Sequence, residues 1–186
     1  MYKICKTEQS ARRQRELELG LLKMMLQHRY EDISVSDLCD QMEVPRKSFY
    51  RYFSSKDGAL YALLDHTMME FFDEGVRRNG GTALGDLEHY FVFWYQHREL
   101  LTALQRSSLS GILVERATIL AQREGLMPNQ MQTMRKDVQE AALSFAVCGL
   151  LSMVIQWHIQ GYTVSPEEMT KLAKGMLTKP LIPMNI

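Results

Sequence analysis

The chain has 186 residues, 46% hydrophobic and 24% charged, with 22 Lys and Arg balanced by 22 Asp and Glu. That is enough apolar material for a real core, in one large domain or a small one fused to a medium one, with a charge content ordinary for a soluble protein. A formal net charge of zero gives no global support to nucleic-acid binding, so any such function must rest on a local cluster of cations.

Cys5, Cys39 and Cys148 are odd in number and lack a Cys-x-x-Cys pair, which argues against a disulfide framework and for a reducing compartment. The first sixteen residues lack the apolar run of a signal peptide, so a cytoplasmic protein is expected. Gln9 to His28 reads as a first helix, with Leu17, Leu21, Leu22, Met25 and Leu26 along one side. Its N-terminal half is crowded with Arg12, Arg13, Arg15, Glu16 and Glu18, of which Arg12 and Arg13 are read as solvated charges. After a loop to Ile33, Val35, Leu38, Cys39 and Met42 fall at i, i+3, i+4 and i+7 and make one apolar stripe on a short helix. Ser34 stands where an N-cap belongs, with Asp37 three residues on.

Met42-Glu43-Val44-Pro45 breaks that period, and a second short helix starts at Pro45 or Arg46. Phe49 and Phe53 share its inner face, while Arg46, Lys47, Ser48, Tyr50 and Arg51 lie mostly elsewhere. Between Pro45 and Lys56 there are four basic residues and no acidic one, a local source of phosphate attraction. Two short helices, a tight turn, and a second helix with an aromatic back and a basic, hydroxyl-bearing front describe a helix-turn-helix that reads DNA.

These residues resemble the signature of the TetR family of transcriptional regulators: Tyr30, Ser34-Val35, Phe49-Tyr50-Arg51-Tyr52-Phe53 and Ser55-Lys56, in a match running from Ser10 to Leu64. The resemblance implies a three-helix DNA-binding domain over residues 1–55 and a helical effector-binding and dimerisation domain over residues 56–186. It implies a homodimeric repressor, released from a palindromic double-stranded DNA operator by a small-molecule effector. Within the motif, Arg46 and Lys47 are best placed for base edges in the major groove, and Ser48, Tyr50 and Lys56 for phosphates that set register. Ser34, Pro45 and Arg51 complete the same surface, and Tyr52 fits either packing or a phosphate contact. Two positions depart from the family pattern. Glu43 stands where glycine is usual, which calls for a left-handed or altered turn, and Lys47 replaces a small residue in the recognition helix.

Beyond Lys56, Leu60, Leu63, Leu64, Thr67, Met68, Phe71 and Phe72 repeat at three and four through Val76, in a helix capped by Ser54 or Ser55. Asn79-Gly80-Gly81-Thr82 breaks the chain. Leu84 to His97 is a helix dense in aromatics, followed by helices over Arg98 to Arg106 and Leu109 to Arg123, the latter ended by Gly125-Leu126-Met127-Pro128. Met131 to Gln160 is a long helix, apolar nearly all round from Ala141 to Ile155. It falls short of the ~20 mostly apolar residues of a spanning helix, so burial and not a membrane is expected. Ser165-Pro166-Glu167-Glu168 opens a last helix that Lys179-Pro180 stops. With no alternating pattern and no internal repeat, the expected fold is all-α with about nine helices.

In the distal part, Met68, Phe72, Tyr90, Phe93, Trp94, His97 and Trp157 could line an effector pocket, although aromatic and Met stripes at this spacing are also what a plain core shows. Phe145, Ala146, Gly149, Ser152 and Met153 of the long helix, with Met169, Leu172 and Met176 of the last, are the candidate dimer face; a purely internal core helix is the alternative. His89 and His97 are two turns apart without further converging ligands, so no metal and no cofactor is expected. No nucleophile–base pair, glycine-rich phosphate loop or paired carboxylates stand out, and the chain reads as a non-enzyme. A rival on the same scaffold is a regulator whose distal domain docks a partner protein and binds no ligand.

Overall fold

The computed structural model describes residues 1–79, 86–124 and 135–178. It is all-α. The described residues form nine α-helices: α1 Glu8–Met25, α2 Val35–Gln41, α3 Arg46–Tyr52, α4 Lys56–Asn79, α5 Leu87–Gln96, α6 Arg98–Arg106, α7 Ser110–Arg123, α8 Lys136–Ile159 and α9 Pro166–Thr178. A short 3-10 turn covers Tyr30–Asp32, and an isolated antiparallel bridge joins Tyr2 to Phe53. The expected breaks at Gly80 to Thr82 and Gly125 to Pro128, the start at Met131 and the stop at Lys179-Pro180 lie outside the described residues.

The helix starts are set by side chains that take up the orphan N–H groups of a first turn. The Thr7 hydroxyl accepts from the Ser10 N–H at 3.3 Å, and Ser34 and Asp37 form a reciprocal capping box. The Ser55 hydroxyl accepts from the Gly58 N–H at 3.1 Å, which starts α4. The Asp86 carboxylate accepts from the His89 N–H, and Ser165 and Glu168 form a second box. At the far end of α8 the chain turns through Gly161 and Tyr162, at φ 71° and 59°.

The chain divides into two compact units. One comprises Met1–Met69 with Glu99–Ala117, the other Glu70–Arg98 with Thr118–Ile186, so the division falls inside α4 and inside α7. In the first unit α1 packs on α2 and α2 on α3, around Leu21, Met25, Leu38, Phe49, Phe53 and Leu60, all essentially inaccessible. In the second unit α5 packs on α9, and Phe91, Phe93, Trp94, Leu151, Val154 and Trp157 form the core.

By length and composition α8 could cross a membrane, with a mean hydropathy of 1.8 over its most apolar window. Its buried residues Leu143, Val147, Leu150, Leu151, Val154 and Trp157 recur at three and four and make a single inward stripe. Of that window 28% is buried, and the rest is a mixture of half-buried and exposed positions.

Candidate nucleic-acid interface

Helix α3 is seven residues long, too short to persist alone, and it is held by what lies beneath it. Phe49 and Phe53 are at most 1% exposed, with ring centroids 5.1 Å apart, and Tyr52 is buried beside Phe53. The opposite face carries Arg46, Lys47, Tyr50 and Arg51, all exposed, with Ser48 half-buried. Tyr50 is 52% exposed yet meets Phe49 edge-on at 5.4 Å, which fixes where its hydroxyl points without covering it. Pro45 is the N-cap, at φ −62° and ψ 142°, and α3 begins at Arg46. The N-terminal end of the helix therefore presents Arg46 and Lys47 to solvent with no acidic residue in its first turn.

The turn before it depends on Glu43, which adopts φ 52°, the left-handed region that costs a side-chain-bearing residue about 1–2 kcal/mol. In that conformation the Val44 N–H reaches back to the Cys39 carbonyl at 2.9 Å and closes the end of α2. Glycine would adopt it without strain, so the departure at position 43 keeps the turn geometry and changes only its cost.

Lys56 sits at the start of α4, but its ammonium is turned to the protein. It donates to the carbonyl oxygens of Tyr30 and Ile33, both at 2.5 Å, and lies 4.2 Å from the centre of the Tyr30 ring. An ammonium has three N–H donors, so one remains for a group outside. Tyr30 is also tied by its hydroxyl, which donates to Asp57 at 2.6 Å, and by its N–H, which donates to the Ser107 hydroxyl at 2.8 Å. Burial first, and then Asp57, push the Tyr30 hydroxyl pKa far above its ordinary value. Ser34 is exposed and spent on its capping box.

Between the N-terminal half of α1 and the turn and α3 lies an open cleft of about 620 Å³. Ser10, Arg13 and Glu16 line one wall, Glu43, Ser48 and Arg51 the other. Arg12 and Arg13, read in the sequence as solvated charges, are exposed, and Arg13 lies along this cleft. Gln9, Arg12, Arg13 and Glu16 share one helix face and border a common depression.

Of the distal candidates, one lies in the first unit and the rest in the second. Met68 is buried in the first unit. In the second, Phe71 gathers Phe72, Tyr90 and Phe93 at centroid distances of 5.2–5.5 Å, and His97 stacks on Phe93 at 4.0 Å. Trp157 is placed with Phe91, Tyr95 and Tyr162, and its indole N–H donates to the Val164 carbonyl. Tyr90 and Trp94 are one turn apart with rings 6.4 Å apart, and among the described residues neither the Tyr90 hydroxyl nor the Trp94 N–H makes a hydrogen bond of normal length. Burial pushes the Tyr90 hydroxyl pKa far up, against the smaller pull of the nearby Trp94 N–H. The buried His89 ring stacks on Phe71, with its Nε2 3.6 Å from the Glu74 carboxylate. Of the dimer candidates, Phe145 is 76% exposed, Leu172 is 49% exposed, Gly149 and Ser152 are exposed, and Ala146, Met153 and Met176 are half-buried. Met169 is buried within its own unit. No group of three or more metal-binding side chains occurs among the described residues.

No protein-family model matches the chain, and no curated protein matches it. Among solved structures it is similar to one described as the fatty acid degradation regulator FadR from Bacillus halodurans, with a TM-score of 0.58 over 96% of this chain and 98% of that one. The two sequences are 16% identical, so the likeness is one of fold, and it extends over both compact units.

Proposed function

We propose that this chain is a TetR-type DNA-binding transcriptional regulator: a cytoplasmic homodimeric repressor that leaves a palindromic operator when a small effector binds. Residues 1–55 would be the DNA-binding domain, and residues 56–186 the effector-binding and dimerisation domain. The observation that carries this is the division of α3, with Phe49, Tyr52 and Phe53 inward and Arg46, Lys47, Tyr50 and Arg51 outward. That exposed face offers base-reading side chains at a helix N-terminus and phosphate donors beside them, with Ser34, Pro45, Ser48 and the third N–H of Lys56 at its edge. The fold shared with a structure described as a regulator supports the same reading.

Two features support the finer statement. The outward side of α8 and α9, with Phe145 and Leu172 exposed and small residues Gly149 and Ser152 between, suits a second copy of the chain. A dimer presents two recognition helices ~34 Å apart and thereby reads far more sequence than one. The buried hydroxyl of Tyr90 and N–H of Trp94 supply two polar handles in an otherwise aromatic interior, suited to an effector bearing an acceptor oxygen. Such a ligand releases the operator only by binding the released state more tightly than the DNA-bound one.

Selection of duplexes from a random pool by the full-length protein tests the reading. An inverted repeat with half-sites one helical turn or a multiple apart supports it, and a pool left unenriched overturns it. A second reading, in which the distal domain docks a partner protein, is favoured by the mutual packing of Phe71, Phe72, Tyr90 and Phe93. It predicts that no small molecule alters operator affinity.

A further inference from the structure

The first residues of the chain, before α1, are built into the protein. The Met1 carbonyl accepts from the Ser54 N–H at 3.0 Å and the Ser54 hydroxyl at 2.8 Å, and the Lys3 N–H donates to the Tyr52 carbonyl at 2.9 Å. These bonds flank the Tyr2–Phe53 bridge. A Cβ at Gly58 would meet the Met1 carbonyl oxygen at 2.5 Å, so the segment lies against α4 at a place where only glycine fits.

Tyr2 anchors the segment at its centre. Its ring meets His66 edge-on at 5.6 Å, and its hydroxyl donates to Asp65 Oδ2 at 2.7 Å. Asp65 is 1% exposed, and its carboxylate also accepts from Arg116 Nε at 2.9 Å and Nη2 at 2.5 Å. A buried carboxylate needs its donors, because losing one leaves an uncompensated charge. The hydroxyl is thus a third donor to a buried carboxylate that Arg116 already pairs.

Of the three residues that the segment grips, Tyr52 ends α3, and Phe53 and Ser54 are two of the three residues between α3 and α4. Phe53 is extended, at φ −127° and ψ 142°, and its dihedral angles set how a seven-residue helix is aimed. We propose that Met1–Lys3 form a strap and that Tyr2 is a positioning residue for the recognition helix, setting DNA affinity without touching DNA by holding the α3–α4 joint against Asp65 and Arg116. The proposal rests on the DNA-binding reading, and its test separates the two.

Tyr2→Phe keeps the ring and removes one hydroxyl. Amide exchange at Ser54 should become about tenfold faster, the loss of one hydrogen bond to a charged group, while exchange at Leu21 in the core stays unchanged. Affinity for the selected duplex should fall about tenfold with the same salt slope, since every phosphate remains neutralised as before. Lys3→Ala should change none of these. The strap is overturned by unchanged exchange at Ser54, or by Ser54 and Leu21 accelerating together. The positioning role is overturned by faster Ser54 exchange with unchanged affinity, and replaced by direct contact if Lys3→Ala lowers the salt slope. A wild-type protein that binds no duplex removes the DNA reading and the positioning role with it, while Ser54 exchange still decides whether the strap exists.

Discussion

The Lys56 ammonium lies 4.2 Å from the centre of the Tyr30 ring and donates to the Tyr30 backbone carbonyl as well. One residue thus holds the loop between α1 and α2 from both sides, and with the Ile33 carbonyl it fixes where α2 begins. Lys56→Met keeps the apolar stem and removes two hydrogen bonds from a charged donor, leaving the Tyr30 carbonyl with the Ile33 N–H, so unfolding should cost about 2 kcal/mol less. The check is a lower urea midpoint at unchanged slope.

The exposed face of α3 should separate into two kinds of residue. Arg46→Ala should cost about 1–3 kcal/mol on the preferred duplex and little on others, relaxing discrimination at one base position. Arg51→Ala should weaken binding to all sequences and lower the salt slope by about one, while Tyr50→Phe should weaken it with the slope unchanged, since a neutral hydroxyl displaces no counterion. Binding isotherms on matched and scrambled duplexes over a salt series distinguish the two.

Glu43 bears the strain of its left-handed turn, and the hydrogen bond that closes the turn runs through the Val44 backbone and not through the Glu43 side chain. Glu43→Gly should raise stability by about 0.5–1 kcal/mol, the relief being partly offset by the freer unfolded chain. A lowered thermal midpoint would show that this side chain supports the turn in some other way.

Phe145→Arg places a charge in the middle of the outward face of α8, where the side chain is already 76% exposed within one chain. Helical content and thermal midpoint should stay near wild type while sedimentation shifts from dimer to monomer. Wild-type protein that sediments as a monomer at micromolar concentration contradicts the dimer before any variant is made.

Asp37 gives a test by pH. Its hydrogen bonds with the Ser34 hydroxyl and backbone hold the carboxyl below the usual carboxylate range. A lowered folded value means that the cap's stability is present above the unfolded value near 4 and is lost as pH falls through the folded one. Carboxyl NMR should show Asp37 titrating below an ordinary exposed Asp, and Ser34→Ala should return it upward.

Helices α2 and α3 were legible because each boundary is local: Ser34 and Asp37 cap α2, Pro45 precedes α3, and Phe49 and Phe53 mark its inner face. Even the strained turn could be anticipated, from a side chain standing where glycine is usual. Long-range pairings were not legible. Nothing in spacing links Tyr2 to Asp65 and Arg116, 63 and 51 residues from Asp65, or turns Lys56 back onto Tyr30. Periodicity places Phe72, Tyr90, Phe93 and Trp157 on helix faces, yet it does not show that Phe71 and Phe91 are the rings that join them. Periodicity gives a side chain's face, and only tertiary packing chooses its neighbours.

The central claim is that the outward cations of α3 bind a duplex, and the salt dependence of that binding tests it most directly. Wild type, Arg46→Ala with Lys47→Ala, and an outward control on another helix, Lys171→Ala, are titrated with one selected duplex at several salt concentrations. A steep wild-type slope, a loss of at least tenfold in the α3 double variant and no change in the control are predicted. Equal binding by all three proteins, or a wild-type affinity indifferent to salt, would contradict it.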